Sequence, residues 1–122
     1  MEKEPLLQAI NKLEATFRQA TELASNDCKD SRKEGIQLRR VVADQLATIF
    51  SIANLAFDGS ELHEAFRSEF SRMRSTMAHH HASWPVVAID LKNPDYLLSA
   101  AQMRKSNSAF IAWVKNALST PG

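Results

Sequence analysis

Three consecutive histidines, His79, His80 and His81, closely followed by Trp84 and Pro85, are the residues of this 122-residue chain best suited to chemistry. Imidazoles ligate metals, carry phosphoryl groups, exchange protons near neutral pH or hold small ligands. A metal site requires its ligands to converge. Neighbouring residues on a helix diverge by about 100°, so three adjacent histidines cannot meet on one ion, whereas positions three or four apart can. No Cys, Asp or Glu stands at such a spacing from the cluster, and His63 lies more than four turns away. No metal and no cofactor are therefore expected. Nucleophilic catalysis lacks its parts as well: Cys28 sits in a polar turn with no histidine near it in sequence, and no serine occupies a recognisable elbow. No catalytic residue is assigned, and the chain is not expected to be an enzyme.

The run from His80 to Ile89 resembles the phosphoacceptor box of sensor histidine kinases. There a histidine precedes a proline by five positions, as His80 precedes Pro85, and an Ala-Ile pair can follow, as Ala88-Ile89 does. The resemblance implies phosphoryl transfer through the histidine, and a four-helix bundle of this size with a histidine on a helix is the architecture of a histidine phosphotransfer domain. Departures from the pattern are specific. The acidic residue that normally follows the histidine is His81 here, and the basic and hydroxyl positions before the proline are Ser83 and Trp84. The lysine and glycine that follow a phosphotransfer-domain histidine are missing, and the similarity covers about ten residues.

The element that positions the histidines is a helix. Leu62, Phe66, Phe70, Met73, Met77, His80 and Trp84 recur four or three apart, which is one face of an α-helix. Pro85 lacks a backbone donor and disfavours helical geometry in the residue before it, so this helix, over residues 60–84, ends with the histidines in its last turn. The phase puts His80 inward, while His79 and His81 flank the stripe. Asp58-Gly59 precedes the helix as a stop, with Asp58 or Ser60 as its cap.

The remaining helices follow from similar signals. Helix 1, residues 5–25, opens with Pro5 in its first turn and carries the seam Leu6, Ile10, Leu13, Phe17, Ala20 and Ala24. The polar cluster from Ser25 to Ser31 is the first turn, and Ser31-x-x-Glu34 has the form of a capping box for helix 2, residues 32–57, which Gly35 weakens. Between Ala43 and Phe57 that helix is apolar almost all round. After Pro85, Val86 to Ile89 with Leu91 reads as a packed extended strap. Asn93-Pro94 then opens helix 4, residues 94–118, with the stripe Tyr96, Ala100, Met103, Asn107, Phe110, Val114 and Ala117. Ile111 and Trp113 fall off that stripe, Asn107 interrupts it, and the tail from Ser119 is expected to fray.

Composition narrows the classes. Apolar residues at 44%, charged residues at 24% and only three glycines and four prolines favour one helical globular domain over residues 1–122. A formal charge of +1 gives no global attraction to nucleic acid or anionic membrane, and the local basic clusters, Arg32, Lys33, Arg39 and Arg40 or Arg67, Arg74 and His81, are interleaved with acids. One cysteine excludes an internal disulfide, no apolar run reaches membrane-span length, and the acidic start MEKEPLLQAI is unlike a signal peptide. A cytoplasmic location is expected.

These readings combine into an all-α protein, an antiparallel up-down-up-down four-helix bundle with a short packed extended connection between helices 3 and 4. Its expected role is a non-enzymatic protein-interaction or regulatory module. A homodimer is expected because Ile52, Leu55, Ile111 and Trp113 lie outside what one core covers. The alternative is a histidine phosphotransfer or small-ligand sensor protein that binds through His79, His80, His81 and Trp84, its ligand unnamed by the sequence.

Overall fold

Leu6, Ile10 and Leu13, three consecutive members of the first seam, are fully buried on α1 (Lys3–Ala24) of the computed structural model. The structure describes residues 3–24 and 29–119, without the side chains of residues 29–31. Residues 25–28 of the expected first turn, with Cys28, and the tail beyond Ser119 lie outside the described residues. Helix α2 (Lys29–Ala56) begins ahead of Ser31, so the S-x-x-E sequence falls within its opening turns and not at its cap. Its core stripe is Val42, Leu46, Ile49 and Ala53, continued by Phe57. Gly59 then turns the chain at φ 74°, a left-handed conformation that costs glycine nothing.

Helix α3 (Leu62–Ser83) starts with Ser60 Oγ accepting from Leu62 N–H at 3.1 Å, while the capping position itself is Glu61, whose side chain makes no cap bond. Phe66, Met73, Met77 and His80 are buried on it, which is the phase read from the sequence. Trp84 N–H donates to the His80 carbonyl at 2.8 Å and closes the helix one residue before Pro85. The connection runs extended at Pro85 and Ile89, with a single 3-10 turn (Val86–Ala88) between them. It packs through Val86 on α2. A Cβ added to Gly35 would lie 3.2 Å from Val86 Cγ1, so the glycine that weakens the helix also admits the strap. Helix α4 (Pro94–Ser119) opens with Asn93 Oδ1 accepting from Asp95 N–H at 2.9 Å, a side-chain cap ahead of the first-turn proline.

The four helices form a bundle in which α1 packs chiefly on α2 and α3 on α4, with fewer contacts joining α1 to α4 and α2 to α3. Phe66 is the hub of an aromatic cluster, with ring centroids of Phe50, Phe57, Phe70, Phe110 and Trp113 all within 6.3 Å of its own. This cluster accounts for the apolar circumference that suggested a second copy. Ile111 is 5% exposed and belongs to the core, while Ile52 and Trp113 are half-buried against it. The two stripes expected to lie bare on helices 2 and 4 therefore largely face partners within the chain. Leu55, at 69% exposure, is the one of the four that stands in water.

Large side chains fill the aromatic end, whereas Ala20, Ala24, Gly35 and Ala100 occupy inward-facing positions towards the C-terminus of α3. Small residues on facing helices cannot interdigitate to normal packing density, so space remains between them. Among the described residues no helix is long and apolar enough to cross a membrane.

Candidate functional site

That space is a cavity of about 530 Å³, walled by all four helices and by Val86 and Ile89 of the strap. Its lining runs along α4 from Tyr96 to Lys115, a length of roughly 28 Å at 1.5 Å per residue. Phe17, Leu38, Val42, Met103 and Ile111 make its sides apolar. Among the described lining residues are five cationic side chains, Arg18, Arg32, Arg39, Arg104 and Lys115, and one carboxylate, Glu14. Glu14 is committed to Lys115, whose Nζ donates to Oε1 at 2.8 Å.

The histidine end is held by contacts distant in sequence. Arg39 Nη2 donates to the Trp84 carbonyl at 2.9 Å, across 45 residues, and so brings a guanidinium to the negative end of α3. Tyr96 packs against both the Trp84 ring, edge-on at 5.4 Å, and the His80 ring at 5.7 Å. His80 is 3% exposed, and its Nδ1 lies 2.7 Å from Ser99 Oγ, with the tautomer deciding which of the two donates. Although this pair is within reach of proton transfer, Ser99 is not on the cavity wall and, among the described residues, no carboxylate hydrogen-bonds the ring.

Of the four expected binding residues, His80 and His81 line the cavity, Trp84 supports it through its ring and carbonyl, and His79 is exposed. The electrostatics at this end are uniform in sign. Burial holds the His80 pKa below the ordinary histidine value, and Arg39, Arg104 and His79 act in the same direction. His81 is held down at about 4, first by burial, then by Arg39, His80 and Arg74. Burial also lowers the Arg39 pKa, with Tyr96 opposing, and raises that of Tyr96, with Arg39 and Arg104 opposing. At neutral pH both histidines are therefore uncharged hydrogen-bonding groups beside a partly buried guanidinium. Further along the wall, Asn107 is buried and its Oδ1 accepts no hydrogen bond.

Arg39 and Tyr96 did not stand out as site residues in the sequence. Arg39 reads as part of a solvated basic face, yet Gly35, Arg39, Val42, Leu46 and Ile49 are four and three apart, so it continues the α2 core stripe towards the N-terminus. That extrapolation is the signal that finds it. Arg104 has no such signal, since it stands beside the α4 stripe. Asn107 was visible as a polar break in a buried face. Among the described residues, no three His, Cys, Asp or Glu side chains are grouped to hold a metal ion.

No protein-family model matches the chain, and no curated protein and no solved structure is significantly similar to it.

Proposed function

We propose that this protein is a non-enzymatic regulatory module that takes a small molecule into the cleft at the His79 to Trp84 end of the bundle. The observation that carries this reading is the cavity of about 530 Å³, within the size range of small-molecule sites, with apolar side chains from all four helices and polar groups spaced along its length. Of the two alternatives raised by the histidines, the small-ligand one is favoured, because a ring that is 3% exposed cannot present a nitrogen to a phosphoryl donor on another protein.

The test is binding of a neutral apolar fluorophore, N-phenyl-1-naphthylamine, to the native protein. Saturable enhancement is expected, with loss of binding and a higher melting temperature in Ala100→Phe, which fills the cavity. Enhancement that is absent, or unchanged in Ala100→Phe, would refute the reading.

A second reading, self-association, is supported by a different surface from the one expected. Val87, Leu97 and Leu98 are 66%, 47% and 60% exposed around the α3 to α4 connection, and Leu91 is 37% exposed. A second copy seated there would cover them. Light scattering should then give twice the chain mass for the wild type and the single mass for Leu98→Glu. A single mass for the wild type would end this reading.

A further inference from the structure

The cavity's charged groups are distributed unevenly. Its one carboxylate is engaged by Lys115 near one end of the lining, whereas Arg39 and the exposed Arg104 lie nearer His80 and Tyr96, with no carboxylate paired to either among the described residues. Arg39 is partly buried, and among the described residues its one side-chain hydrogen bond goes to a neutral carbonyl. A guanidinium removed from water without a counter-charge is destabilising, and a bound anion would offset that cost through charge-assisted, bidentate hydrogen bonds. Arg104 acts electrostatically on the same two rings as Arg39, His80 and Tyr96, so the positive potentials of both guanidiniums overlap there. The neutral His80 and His81 add hydrogen-bonding capacity without adding charge that would depend on pH above about 6.5.

Shape supplies the second half of the argument. The lining extends over roughly 28 Å of α4, so the space is elongated along the helix axis. An extended chain laid along α4 matches that length. Phe17, Leu38, Met103 and Ile111 supply apolar contacts along the cavity's sides, among polar neighbours that include Thr21, Asn107 and Ser108.

We infer that the ligand is an amphiphilic anion, with an extended apolar body along α1 and α4 and an acidic head, carboxylate or phosphate, between Arg39 and Arg104 beside Tyr96. This rests on the cavity reading above and specifies its ligand class. It differs from membrane binding in that the chain enters the bundle while no helix leaves it.

Displacement of N-phenyl-1-naphthylamine tests the head and the body separately. Dodecanoate, dodecyl phosphate and dodecanol, each below its aggregation threshold, compete for the fluorophore. At least one acidic compound should displace it tenfold or more tightly than dodecanol, and the compound with the larger gain identifies the head. The advantage should shrink at high salt and fall at least fivefold in Arg39→Gln and in Arg104→Gln. Circular dichroism establishes that each variant is folded, and Arg104→Gln carries the test if Arg39→Gln is not. Equal displacement by dodecanol and both acids, with the fluorophore still saturating, would overturn the anionic head and leave the cavity reading standing. No fluorophore binding would overturn both.

Discussion

Lowering the pH from 7 to 5 should destabilise this protein through His81, and the size of the effect follows from its surroundings. The ring is partly buried beside Arg39 on α2 and beside His80 and Arg74 on its own helix, and its pKa is held at about 4 against an ordinary 6.5. A histidine whose folded pKa is depressed favours the neutral form in the native state. Its contribution is present in full above the unfolded value of 6.5 and is lost as the pH falls towards 4, because the unfolded chain binds the proton first. From 6.5 to 5 is 1.5 units, or about 2 kcal/mol at 1.36 kcal/mol per unit. The ring's partial exposure reduces this to about 1 to 2 kcal/mol. Urea unfolding at the two pH values measures it, with His81→Gln as the control that cannot titrate. The wild type should lose that much more stability than the variant on acidification, and the two should differ little in their pH dependence above pH 7. Parallel losses in both proteins would show that His81 is not held neutral by its site, and would remove the electrostatic picture of this end of the bundle. His80, lowered for the same reasons, contributes in the same direction and is common to both proteins.

Phe66→Ala, which empties the hub of the aromatic cluster, should cost about 3 to 5 kcal/mol in urea unfolding; a loss below about 1 kcal/mol would mean that the cluster is not a packed core. His80→Leu should change stability by no more than about 1 kcal/mol at pH 7, since one hydrogen bond to Ser99 is exchanged for apolar burial, and it should lessen the acid sensitivity as well. Intact-mass measurement after incubation with acetyl phosphate should find no added phosphate, and a phosphate that disappears in His80→Leu would revive the phosphotransfer alternative.

Much of the architecture was legible because helix signals are local. The α3 stripe from Leu62 to Trp84 needs only a 3.6-residue period, and Pro85 ends the helix whatever surrounds it. Asn93 and Gly59 act through the backbone of their own neighbours, as the Asp95 N–H bond and the positive φ show. The inward phase of His80 follows from the same period, and its 3% exposure agrees. Where a cue depended on the wider chain, it misled or was silent. Ser31-x-x-Glu34 suggested a helix start that lies upstream, because the helix extends back past the cap motif to Lys29.

Tertiary structure decided which of several apolar faces would meet. Ile111 and Trp113 are off the stripe of α4, yet Ile111 is buried in the core and the Phe57 and Phe66 rings reach Trp113 from elsewhere in the chain, and a face can be judged uncovered only when its neighbours are known. The bond from Arg39 to the Trp84 carbonyl joins positions 45 residues apart, and no spacing rule connects them. The cavity is still less visible in sequence, since it is a difference between volumes: small residues on α1, α2 and α4 set against the distance at which the larger residues elsewhere hold those helices apart. Periodicity determines what each helix turns inward, and only packing in three dimensions determines whether the inward residues fill the space between them.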